Sequence, residues 1–485
     1  MNPVERVLPA EPYESLRQYL DAGGGQGLDA ARRLDPDVVI AEVEASGLRG
    51  RGGAGFPTGT KWRTVAGYRS PVLPSTVVVN AAEGEPGTFK DRAIIRTNPY
   101  AVVEGALIAA AAVGADSVVV AAKAVDTATL ERLRSAVDEV CAAGLAGDLT
   151  MDVIGGPDEY LFGEETGLLE VVDGRSPFPR IAPPYRRGVI EVVEHDDDVD
   201  SGSGLAGHVE MAGPGGDTGA PPALVDNVET LANVPAILAR GADWFRSLGS
   251  ADSPGTIVCT VTGAVRRPGV GEIALGTTVR EAIEAVAGGL TPRGVKAVLN
   301  GVSAAPLPAD LLDTPLTYED MAAAGSGLGT ASLIVLPAGQ DMVAVAAGVA
   351  RFLAVESCGQ CTPCKLDGLR LAEALERLCR TKAGVDDLDH VVALLNSVAD
   401  GARCNLASQQ QVVVGHIVRH HGDELAARLA PDSRPVSPLF VAEIRELADG
   451  EVTLDEHRRT KQPDWSFGGE WEGATPVDLV TDHRR

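Results

Sequence analysis

Four cysteines carry the strongest chemical signal in this sequence. Cys358, Cys361 and Cys364 lie in the run ESCGQCTPC, and Cys404 follows in DGARCNLAS. Three thiolates spaced two residues apart can converge on one face of a cluster, and a distant fourth can close the coordination. This is how a chain holds a [4Fe–4S] cluster, and it points to one-electron traffic. Disulfides are disfavoured because nothing else in the chain suggests secretion. Zinc sites with four cysteines usually read as two C-x-x-C pairs rather than a triplet plus one. The other cysteines, Cys141, Cys259 and Cys379, stand singly in apolar runs and are expected to pack as small hydrophobes.

A second constellation is the loop SGLRGRGGAGFPTGTKW, with glycine at 47, 50, 52, 53, 55 and 59. Such a loop can bring backbone N–H groups close to a phosphate, and Lys61 can add a point charge. It lacks G-x-x-x-x-G-K-[ST] and a G-x-G-x-x-G placed after a strand, so it is neither a P-loop nor a standard dinucleotide fingerprint. Spacing alone leaves two readings, a phosphate cradle for nucleotide or flavin, or a structural turn. Two acidic loops follow expected strands: Glu83 and Glu85 in AAEGEPG, and Glu164 and Glu165 in FGEET. Ligands of open α/β sheets bind at the carboxyl ends of strands. These carboxylates therefore either accept hydrogen bonds from ribose hydroxyls or an amide, or are solvated loop charges.

The elements that must position these residues follow from pattern. The 485 residues exceed one core, so several domains are expected. Residues 1–45 read as amphipathic helices leading into the glycine loop. TVVVN (76–80), SVVVAA (117–122) and LTMDVIGG (149–156) read as strands. A helix from the Asn98 cap and Pro99 to Val113, stopped by Gly114, and the helix TATLERLRSAVDEVCAAGL alternate with them. That alternation implies a parallel α/β sheet. Residues 186–222 are acidic, then rich in glycine and proline, and read as a mobile surface insertion. Residues 226–247 read as helical. Together these form a domain over 1–248.

From 254 to 338 the pattern changes. TIVCTVTG and GVGEIALG read as a strand pair, Thr278 with Glu281 as a capping box for VREAIEAVAGG, and VKAVLNG and SLIVLPA as further strands. This suggests a small β-grasp module. Residues 339–430 read as helical, with Pro363 at a helix start beside the cysteine triplet and Leu366, Leu369, Leu375 and Leu378 along one face. A bundle there would clamp the cluster. The tail 431–485 is polar, with Trp465 and Trp471, and is expected to be an extended arm on a partner or a partly disordered end.

Net charge is −26. That opposes nucleic acid and anionic lipid as partners, because no basic patch is present to neutralise phosphates. It leaves an acidic surface suited to solubility or to a basic partner protein. MNPVERVLPAEPYESL has no basic region followed by an apolar one, so no signal peptide is expected. No stretch reaches ~18 uninterrupted apolar residues, so no direct membrane insertion is expected. A cytoplasmic location is the default, with any peripheral membrane placement arising through a partner complex.

Taken together, GRGGAGFPTGxKW, N-A-x-E-x-EPGTFKDR, the GEET loop, PPxLVxNVETLANVPAI and ESCGQCTPC with its distant cysteine closely resemble one family, in order over roughly residues 30–430. It is the flavin-carrying, NADH-oxidising subunit of respiratory complex I, whose relatives serve NAD-linked hydrogenases and formate dehydrogenases. The resemblance implies a multidomain α/β chain: a Rossmann-like domain binding FMN and NADH, a β-grasp (SLBB-like) module, and a four-helix bundle holding one [4Fe–4S] cluster. It implies hydride transfer from NADH to FMN, then single electrons through the cluster. Carried over by match, Gly50, Arg51, Gly53, Lys61, Asn80, Glu83, Tyr160, Gly163, Glu164 and Asn227 would line the FMN site. Phe56, Glu85 and Glu165 would contact NADH, with Phe56 stacking on its rings. Leu406 and Ala407 would sit between cluster and flavin. The chain has no second cysteine set of [2Fe–2S] type, so the resemblance also implies partners: a small [2Fe–2S] thioredoxin-like subunit and further iron–sulfur or redox subunits.

The chain departs from the family pattern at Ala82, where an aspartate is usual, and at Thr64, where a second stacking aromatic is expected. In RIAPPY the usual lysine is Ala182 and the usual phenylalanine is Tyr185. Asp226 replaces the first asparagine of NNVET, and 186–222 is longer than the usual connection. Losing a lysine and a stacking ring would each cost ~1–2 kcal/mol of binding. Asp226 beside a flavin phosphate would be repulsive unless it points away. Two other readings stand beside NADH dehydrogenase: an FMN and [4Fe–4S] relay that does not use NADH, and a cofactor-poor interaction scaffold built on the β-grasp module.

Overall fold

The computed structural model describes residues 4–189 and 221–463, which fall into two compact units. One comprises residues up to Glu83 and Lys90–Val258; the other comprises Gly84–Phe89 and the chain from Cys259 on.

In the first unit, α1 (Leu16–Asp21), α2 (Gln26–Ala31) and α3 (Pro36–Ser46) precede the glycine loop, and α4 (Thr58–Gly67) follows it. Then come β1 (Thr76–Ala81), α5 (Lys90–Thr97), α6 (Pro99–Val113), β2 (Ser117–Lys123), α7 (Thr127–Ala142), β3 (Thr150–Gly156), α8 (Glu165–Val172), β4 (Ala223–Asn227), α9 (Val228–Arg240) and α10 (Ala242–Arg246). The strands form a parallel sheet in the order β3-β2-β1-β4. The apolar runs of β1 and β2 are buried on both faces, as parallel strands covered by helices must be. Asn98 caps α6 through Ala101 N, and Gly114 ends it in the left-handed conformation.

β4 departs from the sequence expectation, which read 226–247 as helical. ALVDN is short and sits between Pro221-Pro222 and a strong helix cap, so local signals for loop and helix mask it. Only pairing along the edge of β1 makes it a strand. Residues 190–220, most of the expected insertion, lie outside the described residues, as do Trp465 and Trp471. Cys141 is exposed, unlike Cys259 and Cys379, because it falls on the solvent side of α7.

The second unit opens with β5 (Thr256–Gly263, its first residues shared with the other unit), β6 (Gly269–Ala274), α11 (Val279–Ala287), β7 (Val295–Asn300), β8 (Leu307–Pro308), α12 (Tyr318–Ala323) and β9 (Ser332–Pro337). The sheet order is β6-β5-β9-β7-β8, with β5 and β9 parallel. The Thr278–Glu281 capping box is present at the start of α11. The helical part contains α13 (Met342–Glu356), α14 (Gly368–Cys379), α15 (Val385–Ser397), α16 (Leu406–Gln409), α17 (Gly415–His420) and α18 (Gly422–Ala427).

Two π turns interrupt this part, Pro363–Asp367 ahead of α14 and Gln410–Val414 between α16 and α17. The first changes the expected leucine face. A π turn adds a residue per turn and rotates what precedes it. Leu366 is consequently exposed, and the buried stripe is Leu371, Leu375 and Leu378. The expected polar arm is also corrected. β10 (Ile444–Ala448) and β11 (Glu451–Leu454) form a hairpin, followed by a 3-10 turn, Glu456–Arg459. Among the described residues no helix is long and apolar enough to cross a membrane.

Candidate flavin and iron–sulfur sites

In the first unit the chain winds from β1 to β2 and β3, then returns to the other side of β1 as β4. That reversal is a topological switch point, where open α/β sheets bind ligands beyond the strand carboxyl ends. Asn80 and Asn227 stand opposite each other in register there. Asn80 Nδ2 donates to the carbonyl of Gly163 at 2.8 Å, and its Oδ1 accepts from Ala82 N. Asn227 caps α9 through Glu229 N at 3.0 Å.

The glycine loop is closed by Gly50 N donating to Phe56 O and Thr58 N donating to Leu48 O. Gly53 has φ 121° and Gly55 φ 65°, so both need glycine. A Cβ on Gly52 would stand 3.3 Å from Cβ of Asn227, so the loop lies directly over the end of β4. Thr58 Oγ1, at the first turn of α4, is buried and has no hydrogen-bond partner among the described residues. Backbone donors, a helix start and a buried hydroxyl together suit the phosphate of FMN. Phe56 is 53% exposed beside them and presents an unpacked ring.

Other predicted residues are already engaged. Arg51 turns inward: its N donates to Thr230 Oγ1 at 2.8 Å, and its guanidinium donates to the carbonyls of Arg49 and Thr256. Lys61 pairs with Glu165, donates to Val225 O at 2.7 Å and stands 3.7 Å from Asp226. Burial works against its charge, but these carboxylates outweigh burial and hold its pKa above the usual value. Asp226 accepts from Trp62 Nε1 at 2.7 Å. Burial pushes its pKa up to about 6, with Lys61 and Trp62 opposing. Asp226 is therefore held by Trp62 and Lys61.

Glu83 caps α5, accepting from Asp91 N at 2.9 Å and from Arg92 Nε at 2.9 Å. Burial alone would raise its pKa, yet Arg92 brings it below the usual carboxylate value. Glu164 caps α8 through Thr166 N and Gly167 N, and burial raises its pKa. Tyr160 and Gly163 bound a 3-10 turn between β3 and α8. Of the departures, Ala82 and Ala182 are buried, and Thr64 Oγ1 donates back to Thr60 O. Tyr185 packs edge-on against Tyr68 with ring centroids 5.0 Å apart.

Sequence reasoning missed a buried ionic cluster behind this site. Lys90 lies 2.7 Å from Asp91 and 2.9 Å from Glu229, and donates to Asn227 Oδ1 at 3.1 Å. Asn227 Nδ2 donates to Asp91 Oδ2 at 2.7 Å. Burial raises the Asp91 pKa to about 6 against the pull of Lys90. FKDR and NVET each carry these charges, but a charged loop read alone looks solvated.

In the second unit, Glu85 accepts from Val302 N at 2.7 Å and so anchors the segment Gly84–Phe89. The cysteine triplet spans the end of α13 to the first π turn. Cys358 and Cys364 are buried, while Cys361 and Cys404 are half-buried. Gln360 Nε2 donates to Cys358 Sγ at 3.5 Å, and Arg403 donates to Gln360 Oε1 at 3.1 Å. That pair ties the Cys404 loop to the triplet. Burial raises the Cys358 thiol and pushes Cys364 up to about 11, and the neighbouring Cys361 adds to the cost of ionising both. Soft thiol donors near enough to raise the cost of ionising Cys358 and Cys364 suit a cationic iron–sulfur core. Leu406 and Ala407 are buried directly after Cys404.

Comparison with known proteins matches the regions that contain these residues. Family models for the Nuo51 FMN-binding domain, the SLBB domain and the NADH-ubiquinone oxidoreductase-F iron-sulfur binding region match residues 43–236, 258–304 and 344–428. The F subunit of the NADH-quinone oxidoreductase of Mycobacterium tuberculosis is 36% identical over 426 residues, covering 86% of this chain and 90% of that one. Its counterpart in Rhodobacter capsulatus is 36% identical over 427 residues, covering 86% and 93%. An NAD+-reducing [NiFe]-hydrogenase in its H2-reduced state superposes with TM-score 0.72 at 30% identity, covering 87% of this chain and 68% of that chain. The three matched regions follow one another along the parallel sheet, the mixed five-stranded module and the cysteine-bearing helical part, and the chain belongs to the family of NADH-quinone oxidoreductase F subunits.

Proposed function

We infer that this chain is an NADH-dehydrogenase-type oxidoreductase subunit carrying FMN and one [4Fe–4S] cluster. The carrying observation is the glycine loop lying over the paired Asn80 and Asn227 at the switch point. When bound, FMN accepts hydride from NADH, and the cluster passes single electrons onward.

The chain's own residues position and shield these groups. Gly53 and Thr58 offer the phosphate a backbone and a hydroxyl donor, and Gly50 holds the loop closed through Phe56. Asn80, Glu164, Tyr160 and Gly163 shape the wall beyond β1. Arg51, Glu83 and Asn227 hold that wall through the bonds described above. Phe56 supplies a ring face for the nicotinamide nucleotide. Glu165 is the hydrogen-bond acceptor beside it, oriented by Lys61. Cys358, Cys361, Cys364 and Cys404 ligate the cluster, and Leu406 and Ala407 wall it from water. Glu85 serves this reading as the anchor on Val302.

The chain works with other redox subunits. We propose that the electron acceptor is a small [2Fe–2S] thioredoxin-like subunit or another iron–sulfur protein, and that any membrane attachment runs through such partners. The test is an anaerobic titration of the reconstituted protein with NADH, following flavin and cluster absorbance. Both bands bleach at stoichiometric NADH, and NADPH leaves them unchanged. If dithionite bleaches both bands and NADH neither, the relay reading replaces this one.

A further inference from the structure

The segment after the helical part carries cations that the sequence pattern left in a polar tail. Arg458 and Lys461 are buried, and both reach back about a hundred residues to Glu356. Lys461 Nζ lies 2.8 Å from Oε1 and 2.9 Å from Oε2 of Glu356. Arg458 donates to Glu356 Oε1 at 2.8 Å and forks onto both oxygens of Glu443 at 2.8 and 2.7 Å. Its Nε stands 3.3 Å from Asp455. Glu356 ends α13, two residues before Cys358. A third buried cation, Lys365, donates to Ser357 O at 2.7 Å and Ala354 O at 3.2 Å. Its electrostatic neighbours are Glu356, Cys358, Cys364 and Lys461. Thiols, carboxylate and cations thus share one dry neighbourhood.

We propose that Lys461, through Glu356, sets the reduction potential of the cluster held by Cys358, Cys361, Cys364 and Cys404. Potentials of iron–sulfur clusters follow net charge, hydrogen bonding and exposure. A buried charge is poorly screened, so each one removed here is felt at the cluster. Lys461 is a positioning residue: it neutralises Glu356 and fixes the end of α13 from which the cysteine turn departs. Loss of its charge leaves Glu356 to Arg458 alone, which is shared with Glu443 and Asp455, so the site gains one net negative charge, which disfavours adding an electron and lowers the potential. Loss of the Glu356 charge raises it. The inference rests on the cluster reading above.

The test is an EPR-monitored redox titration of the full reconstituted chain and of Lys461→Met, Lys461→Arg, Glu356→Gln and Glu356→Gln/Lys461→Met. Lys461→Met lowers the potential by the equivalent of about a tenfold change in the reduction equilibrium, which is 59 mV for a one-electron couple. Glu356→Gln raises it. The double variant returns close to the parent chain, and Lys461→Arg stays there. A network that merely fastens the C-terminal segment would shift melting temperatures and leave all potentials in place, which overturns the inference. Should Lys461→Met fail to hold a cluster, Glu356→Gln and the double variant decide it by the same signs. A parent chain that takes up no cluster overturns the cluster reading as well.

Discussion

Asp226 is the residue whose environment most directly makes a measurable prediction. Its carboxyl keeps a proton to about pH 6 in the folded chain, because burial outweighs the opposing pull of Lys61 at 3.7 Å and of the Trp62 hydrogen bond. Unfolded, it ionises at about pH 4. Between those values the folded state binds more protons, so stability falls as pH rises through that window. With about 1.4 kcal/mol per unit, the loss is on the order of 3 kcal/mol. Asp226→Asn removes this slope and leaves the protein more stable at pH 7, read from melting curves at pH 4.5 and 7. The amide still accepts the Trp62 bond. At the same scale, Cys404→Ser and Cys364→Ser each abolish the cluster's visible absorbance and iron content while flavin uptake persists. A serine hydroxyl is a harder, less acidic donor than a thiol. Unchanged iron content in either variant would exclude that residue as a ligand.

Among the elements, α6 and α9 show how closely backbones approach in the first unit. A Cβ on Gly105 would lie 2.1 Å from the carbonyl oxygen of Leu231. Backbone cannot step aside as a flexible side chain does, so Gly105→Ala costs ~1–3 kcal/mol and lowers the melting temperature by several degrees. Gly144→Ala is the companion: it has a φ of 71° but meets nothing within 4 Å. It costs about 1 kcal/mol from strain alone. If the two variants melt alike, the close approach is not what Gly105 serves. The π turns belong to this scale too. Pro363–Asp367 rotates Leu366 out to solvent, and a strict 3.6-residue reading cannot see that shift.

Over the whole molecule, charge dominates. At −26 the folded chain repels itself, and salt screens that repulsion. Melting temperature accordingly rises by a few degrees between 10 and 150 mM sodium chloride at pH 7.5. A flat or falling response would mean that buried pairs such as Lys461–Glu356 and Lys90–Glu229, rather than surface repulsion, govern stability. The chain carries seven cysteines, four of them in the cluster motif. Its family context, the F subunit of NADH-quinone oxidoreductase, implies that it works beside other redox subunits.

The iron–sulfur chemistry was legible in the sequence because ligand spacing is a local property, whereas glycine density alone left the flavin loop open and the flavin entered through the resemblance of the ordered motif set. The ESCGQCTPC triplet and the caps at Asn98 and Thr278 act through neighbours within a few residues, with Cys404 added as a distant fourth thiol. The strand positions of β1, β2 and β3 followed for the same reason, since buried parallel strands read as continuous apolar runs. What tertiary structure decided are the long-range partners. β4 exists because β1 has an open edge. Asp226 is held where it lies because Trp62 and Lys61 reach it, and Lys90 is buried because Asp91, Glu229 and Asn227 surround it. Arg458 and Lys461 look like solvated tail charges until the fold delivers Glu356 to them. A buried charge declares itself only when its counter-charge arrives, and sequence distance says nothing about which pair will meet.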